Sequence, residues 1–245
     1  MLHQALITLP EEDYIYYADT DNVPYGVKSK EEIIQYVDGA IDFLISKGVK
    51  AIVIACNTAT SVAIDYLRSK YSLPILGMEP AVKSAIKKGA SQRVMVIATP
   101  LTVREDKLRN LLHQVDDDHL VDLLPLPKLV SFAEAGMFEE KEVKAYLANE
   151  LAFYHLKDYS ALVLGCTHFN YFKDTFRGVF PEKVEFIDGS TGTVNHLKHI
   201  LEENGLLEHN TGVVDYYISG RLVAEEEMLA DISRLHERLE RMLQY

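Results

Sequence analysis

The sequence predicts an α/β fold with parallel sheets, and three observations lead to this prediction. Short apolar runs rich in Val and Ile, such as residues 51–55 and 93–98, are typical of buried strands. Stretches with apolar residues at helical spacing follow these runs, and Ser29 with Glu32 forms a capping box before the first long one. Strands and helices alternate along the chain, an order typical of parallel sheets with helices on their faces.

The individual elements are predicted as follows. Strands are expected at residues 14–18, 51–55, 74–78, 93–98, 120–126, 161–165, 184–187 and 213–218. Helices are expected at residues 2–9, 29–48, 57–70, 80–88, 139–156, 167–176 and 222–243. Another is expected to follow residues 99–102 and end near Gln114, and a further one to begin near Asp188. The last helix carries an apolar stripe that suits core packing or a homodimer: Met228, Leu229, Ile232, Leu235, Leu239 and Met242.

Composition excludes several classes of partner. The 245-residue chain has a net charge of −12 and no basic cluster, so we expect no nucleic-acid binding. No apolar stretch approaches the roughly 18 residues of a membrane span, so no membrane insertion is expected. The N-terminus lacks the basic-then-apolar pattern of a signal peptide, and the sequence therefore predicts a cytoplasmic protein with reduced thiols.

The two cysteines of the chain both follow a predicted buried strand. Residues 51–56 and 161–166 share one pattern, in which Ala, aliphatic residues and a small residue precede the cysteine. The repeat predicts two related half-structures, each with one sulfur at the tip of a strand. Cys56 would face unpaired backbone N–H groups and the positive end of a helix dipole, which favour a thiolate.

Two cysteines alone leave several chemistries open. They could pack in a core, form a disulfide or act as a redox pair. Cys166 and His168 form a Cys-x-His pair, but zinc requires four ligands and the sequence has no second cluster, so no metal is expected. A Cys166 nucleophile with His168 as its base would leave the matching position of Cys56 unexplained.

A matched pair of thiols also suits inversion of a stereocentre next to a carboxylate. One group removes a proton from one face of the carbon, and the other delivers a proton to the opposite face. The groups must be similar because the reverse reaction exchanges their roles. Asn, Thr and backbone N–H donors beside each sulfur would hold carboxylates and spread the charge of the transition state. On this pattern alone, buried structural cysteines explain the pair equally well.

Two motifs resemble the paired signatures of glutamate racemases, in the wider aspartate/glutamate racemase superfamily: Ala55-Cys56-Asn57-Thr58-Ala59 and Leu164-Gly165-Cys166-Thr167-His168. Residues 23–26, preceded by Asp19-Thr20, resemble that family's substrate loop. The order of elements matches over essentially the whole chain, and His168 points to the glutamate branch. The resemblance implies two similar α/β domains that face each other across the active site, here residues 1–79 with 190–245 and residues 80–189.

The resemblance also implies an activity, the cofactor-independent interconversion of L- and D-glutamate that supplies D-glutamate for peptidoglycan. Cys56 and Cys166 would be the acid/base groups on the two faces of Cα, and His168 and Glu134 would assist Cys166. Substrate contacts would come from residues in the loop and at strand ends: Tyr25, Gly26, Asn57, Thr58, Thr167 and either Thr99 or Thr102.

Structural interpretations of the same residues stay open. His168 could make a hydrogen bond at a helix start, Tyr25 could pack in its loop, and Glu134 could lie at a solvated helix position. Thr99 and Thr102 could cap helices, and Asp19 could be a turn residue. Two other functions compete for the whole chain. These are a racemase of another acidic amino acid such as aspartate, and a catalytically silent homologue that binds glutamate or a partner.

The chain departs from the family pattern at two places. Phe169-Asn170 stands where the family usually has Tyr-Pro, which we interpret as a change in packing. The family opens with a strand and an Asp-Ser-Gly-x-Gly-Gly turn whose Asp assists the first cysteine, whereas Met1 lies within the helix that follows this turn. Asp19 is the nearest carboxylate, but it matches another family position.

We therefore expect the 245-residue form to racemise glutamate poorly or not at all, and a form with the additional N-terminal segment to be active. The reason is that Cys56 would lack its carboxylate partner and the sheet beside it would have an exposed edge. Deuterium wash-in at the Cα of glutamate measures this directly. Rapid exchange by the 245-residue form would contradict the expectation.

Overall fold

A computed structural model describes residues 1–78, 80–88 and 92–245 of the chain. The chain divides into two compact units. Unit 1 comprises Met1–Met78 and Ser190–Glu237, and unit 2 comprises Glu79–Gly189 and Arg238–Tyr245. The family resemblance implies that all of residues 190–245 belong to the first domain, whereas the structure groups Arg238–Tyr245 with unit 2.

The secondary structure follows the predicted alternation of strands and helices. The strands are β1 Tyr14–Ala18, β2 Ile52–Ile54, β3 Ile75–Gly77, β4 Arg93–Ala98, β5 Val121–Pro125, β6 Tyr159–Gly165, β7 Glu185–Ile187, β8 Val214–Ile218 and β9 Arg221–Leu222. The α-helices are α1 Leu2–Thr8, α2 Lys30–Ser46, α3 Asn57–Lys70, α4 Val82–Lys88, α5 Pro100–Arg104, α6 Asp106–Val115, α7 Pro127–Glu134, α8 Lys141–Glu150, α9 Lys173–Arg177, α10 Ser190–Glu203 and α11 Glu226–Met242. Short 3-10 helices lie at Thr20–Asn22, Tyr25–Val27, Leu156–Asp158 and Thr167–Phe172.

Unit 1 contains two small sheets. β1 pairs in parallel with β8, from Tyr14↔Val214 to Ala18↔Ile218, and β9 joins β8 in antiparallel orientation. β2 and β3 form a separate parallel pair. Within the residues that the structure describes, β1 pairs only with β8 and β2 only with β3.

Helices bury the apolar side chains of unit 1. α2 begins at the predicted capping box, in which the Ser29 N–H donates to the Glu32 carboxylate (2.9 Å) and the Glu32 N–H donates to Ser29 Oγ (3.2 Å). α2 packs against α3, and α1 and α10 pack together and over β3. The buried side chains of these contacts are Ile33, Ile41, Ile64, Leu67, Ala5, Leu76, Val194 and Leu201.

A buried threonine fixes the junction between β2 and α3. Thr60 Oγ1 donates to the Ile54 carbonyl (3.2 Å) and accepts from the Met78 N–H (3.1 Å). β3 approaches this side chain so closely that a Cβ at Gly77 would lie 2.3 Å from Thr60 Cγ2. These contacts join β2, α3 and β3 around the turn that contains Cys56.

Unit 2 contains one parallel sheet in the order β5-β4-β6-β7. Both faces of this sheet are covered, because alternate side chains of β4 enter different apolar clusters. Met95 and Ile97 pack with α7, α8 and the aromatic residues of 169–180, whereas Val94 and Val96 pack with α4 and α6. Strands buried on both faces explain the continuous apolar runs in this part of the sequence.

The structure corrects several predicted boundaries. The single helix predicted to follow residues 99–102 and end near Gln114 is two helices, because the extended backbone of Glu105 (φ −66°, ψ 137°) separates α5 from α6. The last helix begins at Glu226, and Arg221–Leu222 forms β9 instead. The helix predicted at 139–156 is limited to Lys141–Glu150. α7 was not predicted, although Pro127 occupies its first turn, a position that proline favours.

No helix in the described ranges combines the length and the apolar character that a bilayer crossing requires.

We expect Thr60→Val to lower the free energy of unfolding by about 1–3 kcal/mol, because an isosteric side chain removes two buried hydrogen bonds. Urea unfolding monitored by circular dichroism measures the change. Ser69→Ala is the matched control on the same helix, since that exposed hydroxyl donates to the Tyr66 carbonyl of its own turn. An equal loss in both variants would contradict a special role for Thr60.

Candidate active site

The first cluster of candidate residues lies in unit 1 around Cys56. Cys56 is a reduced cysteine at the N-cap of α3, with extended backbone (φ −89°, ψ 120°). The Ala59 N–H donates to Cys56 Sγ across 3.5 Å. The predicted strand-to-helix junction is therefore present, and the sulfur lies where the helix dipole favours negative charge.

Asn57 and Thr58 form the first turn of α3 and are 3% and 2% exposed. Within the described part of the chain, neither polar atom of the Asn57 amide has a hydrogen-bond partner. A buried amide without partners is destabilising unless another group satisfies it. Asn57 is thus suited to bind a polar ligand beside Cys56.

Tyr25 and Gly26 begin a 3-10 helix that packs against α3. The Tyr25 hydroxyl donates to a carboxylate oxygen of Asp19, and Asn22 Nδ2 donates to the other oxygen at 2.8 Å. Burial raises the pKa of Tyr25 above its usual range, and the bond to Asp19 and the charges of Asp19 and Cys56 raise it further. The Tyr25 phenol therefore stays protonated close to Cys56, and the Asp19 carboxylate accepts its hydrogen bond.

The second cluster lies in unit 2 at the end of β6. Cys166 is a free thiol, 7% exposed, and follows Gly165 directly. A Cβ at Gly165 would lie 2.8 Å from the Ile97 carbonyl, so the close approach of β4 requires glycine before the cysteine. A 3-10 helix, Thr167–Phe172, follows Cys166 in place of the predicted α-helix.

His168 connects Cys166 to Glu134. His168 Nδ1 lies 3.7 Å from Cys166 Sγ, and His168 Nε2 lies 2.6 Å from Glu134 Oε1. Glu134 is the last residue of α7, so the packing of α7 against the 3-10 helix Thr167–Phe172 brings carboxylate and imidazole together. The three side chains form one continuous chain of polar contacts.

The charge state of His168 follows from these contacts. Burial lowers the pKa of His168, but the hydrogen bonds to Cys166 and Glu134 and their charges outweigh burial and raise the pKa to about 10. The bond from His168 holds the pKa of Glu134 below its usual value against the opposing effect of burial. At neutral pH His168 is therefore an imidazolium between a carboxylate and a sulfur, and it can donate a proton towards Sγ.

At the end of β4, Thr99 caps α5 and Thr102 lies in the first turn of that helix. Thr99 Oγ1 accepts from the Thr102 N–H (3.2 Å) and lies 3.0 Å from Thr102 Oγ1. Thr99 is 7% and Thr102 is 1% exposed. Since Ala98 pairs with Gly165, Thr99 and Cys166 follow neighbouring strands at the same edge of the sheet. Thr99 thus has the capping geometry, Thr102 is its partner in the helix, and Thr99 also lies beside the second cluster.

The structure places the candidate residues in two groups. Unit 1 holds Cys56 with Tyr25, Gly26, Asn57 and Thr58, and unit 2 holds Cys166 with Thr167, His168, Glu134, Thr99 and Thr102. Sequence reasoning missed the contact of Asp19 with Tyr25. The two residues lie close together in one turn-rich loop, which was the only indication in the sequence. Hydrogen bonds inside a loop follow no periodic pattern, so the sequence could not show that these two side chains meet. The departure at Phe169-Asn170 lies in the core, where Phe169 is 0% exposed.

Comparison with known proteins identifies the family. A family model described as Asp/Glu/Hydantoin racemase matches residues 1–197.

The chain belongs to this racemase family.

Individual members and structures are similar over the full length. The glutamate racemase of Lachnospira eligens is 53% identical over 250 residues, a match covering 100% of this chain and 94% of the relative. The glutamate racemase of Campylobacter curvus is 51% identical with the same coverage, 100% and 94%. The crystal structure of glutamate racemase from Francisella tularensis in complex with D-glutamate has a TM-score of 0.78 at 28% identity, and covers 100% of this chain and 88% of that one. The resemblance drawn from the motifs is confirmed.

We expect Glu134→Gln to lower the pKa of His168 from about 10, because the substitution removes the carboxylate at Nε2. A histidine with a raised pKa keeps its proton below that pKa and loses it as the pH rises through it. The alkaline limit of any activity that needs the imidazolium should therefore move to lower pH in this racemase. NMR titration of the His168 ring measures the pKa itself.

Glu142→Gln is the control for this prediction, since it removes one exposed carboxylate from the same unit. An equal shift of the His168 pKa in both variants would show that net charge, rather than the contact with Glu134, raises it.

Proposed function

We propose that this protein interconverts L- and D-glutamate, with Cys56 and Cys166 as the two acid/base groups. One observation carries the proposal. Each unit has one free thiol at the carboxyl end of a buried strand, in a chain about half identical to glutamate racemases. One thiol removes the proton from Cα and the other delivers a proton to the opposite face, which inverts the stereocentre without any redox change.

At Cys56 the neighbouring groups suit the deprotonated sulfur. The N-terminus of α3 and the Ala59 N–H stabilise negative charge on Sγ. The Tyr25 hydroxyl stays protonated because Asp19 accepts its hydrogen bond. We propose that Asp19 helps to keep the Tyr25 phenol protonated beside Cys56. Asp19 would then have a role beyond that of a turn residue.

At Cys166 the neighbouring groups supply a proton. The His168 imidazolium lies 3.7 Å from Sγ and returns to the charged form readily because Glu134 holds its other nitrogen. General acid–base catalysis of this kind contributes roughly 10²–10⁴-fold to a rate. His168 and Glu134 would thus let Cys166 act as an acid in one direction and as a base in the other.

Substrate binding requires donors for two carboxylates and partners for an ammonium group. We propose that Asn57, with its unsatisfied buried amide, and Thr58 serve this purpose beside Cys56. Thr167 and Thr99 would do so beside Cys166, and Tyr25 and Gly26 would contribute from their loop. Thr102 would contribute indirectly, because its hydroxyl holds the Thr99 hydroxyl in place. Donors placed before the reaction stabilise charge that develops on the substrate carboxylate in the transition state.

The biological setting follows from the activity. D-Glutamate is a building block of peptidoglycan, so the protein acts in cell-wall synthesis. We further propose that it works in the cytoplasm and that two copies associate through the amphipathic α11. Sedimentation analysis tests this association.

We expect Cys56→Ser and Cys166→Ser each to lower kcat by roughly 10²–10⁴-fold, because a serine hydroxyl is a far weaker acid than a thiol. The measurement is NMR of L-glutamate and, separately, D-glutamate in D₂O. With two bases, deuterium enters the product enantiomer first, because removal and delivery use different sulfurs. The double variant should show no exchange above background.

Three outcomes would contradict the proposal. Early deuterium in recovered substrate as well as product would indicate a single base. Faster exchange of aspartate than of glutamate would indicate a racemase of another acidic amino acid. Binding of D-glutamate by calorimetry without any exchange would indicate a catalytically silent homologue.

A further inference from the structure

Arg238, near the end of α11, is a buried charge outside both cysteine clusters. Its side chain is 5% exposed, which is rare for arginine unless the charge is paired. The guanidinium donates to Glu139 Oε1 (2.7 Å), to both carboxylate oxygens of Asp174 (3.1 and 2.9 Å) and to the Tyr171 carbonyl (2.9 Å). Its central carbon also lies 4.5 Å from the centre of the Phe138 ring.

These partners belong to the two segments that carry His168 and Glu134. Tyr171 lies in the same 3-10 helix as His168, and Asp174 lies in the first turn of α9, which continues from it. Phe138 and Glu139 follow the short turn at the end of α7, the helix that ends at Glu134.

That turn is compact, so the positions of Phe138 and Glu139 are coupled to the position of α7. Gly136 has a positive φ of 70°, and the Met137 N–H donates to the Phe132 carbonyl at 2.8 Å. Thr175 Oγ1 donates to the Phe138 carbonyl at 3.2 Å, a second bond between the two segments. Arg238 therefore bonds both to the segment that follows His168 and to the segment that follows Glu134.

We propose that Arg238 is a positioning residue, which holds the His168 segment and the Glu134 segment at the separation that allows the contact between imidazole and carboxylate. This inference rests on the proposed function for its catalytic meaning, but the positioning itself is a property of the fold. Arg238 acts through Tyr171, Asp174 and Glu139 and is not itself a catalytic residue.

The chemistry of arginine suits this role. A planar guanidinium can bind two carboxylates and a carbonyl at the same time in fixed directions, whereas a lysine ammonium is a point charge without that geometry. The face of the guanidinium also stacks near Phe138. Arg238→Lys therefore keeps the charge and loses the geometry, and Arg238→Met loses both.

The test compares Arg238→Met and Arg238→Lys with the unaltered chain, using the pKa of His168 measured by NMR. Removal of a positive charge by itself would raise the pKa of a nearby histidine. Loss of the Glu134 contact lowers it, so positioning and simple electrostatics predict opposite signs for Arg238→Met. We expect the pKa to fall in both variants, with the smaller fall for lysine.

Kinetics provide a second readout. We expect Arg238→Met to lower kcat by about tenfold to a hundredfold with a smaller change in KM, because a misplaced proton donor affects the chemical step. Arg238→Lys should recover part of kcat. Arg234→Met is the matched control, since Arg234 is 66% exposed on the same helix.

The outcomes separate the alternatives. An unchanged or raised His168 pKa in Arg238→Lys would overturn the proposal, even if Arg238→Met failed to fold. The NMR readout requires no turnover, so a chain that does not racemise glutamate would contradict the proposed function and leave the positioning role measurable.

Discussion

A cysteine at the carboxyl end of a buried parallel strand is the constraint on which both clusters depend. Such a strand delivers its last side chain to the edge of the sheet, where the backbone turns and unpaired N–H groups are available. β2 ends before Cys56 and β6 ends before Cys166, and close packing fixes both ends. In unit 1 Thr60 packs tightly against Gly77, and in unit 2 Gly165 packs tightly against the Ile97 carbonyl.

The two sulfurs nevertheless have different surroundings. An α-helix begins immediately after Cys56, so backbone groups and a protonated Tyr25 surround its sulfur. A 3-10 helix follows Cys166, and His168 in its first turn lies against the sulfur. The proposed reaction runs in both directions, and the two thiols that would carry it have different neighbours.

Local sequence was sufficient for part of this structure. The limits of β1 and β4, the capping box at Ser29 and the strand-to-helix junction at Cys56 depend on short-range patterns and were predicted correctly. The break at Glu105 was not predicted, because the apolar spacing continues through it while the backbone becomes extended. β9 was missed because a strand of two residues depends on its partner β8 rather than on its own composition.

Contacts between distant residues explain what the sequence could not reveal about the site. The imidazole of His168 meets Glu134 across 34 positions of sequence, and Arg238 meets Asp174 across 64. A helical pattern places Arg238 on α11, but its neighbours Leu235 and Met242 suggest only an apolar stripe. The buried face of α11 in fact includes a cation, and burying a cation requires anionic partners with good geometry. Those partners belong to the two segments that follow Cys166 and Glu134, so one electrostatic requirement stabilises the end of α11 and also joins these two segments.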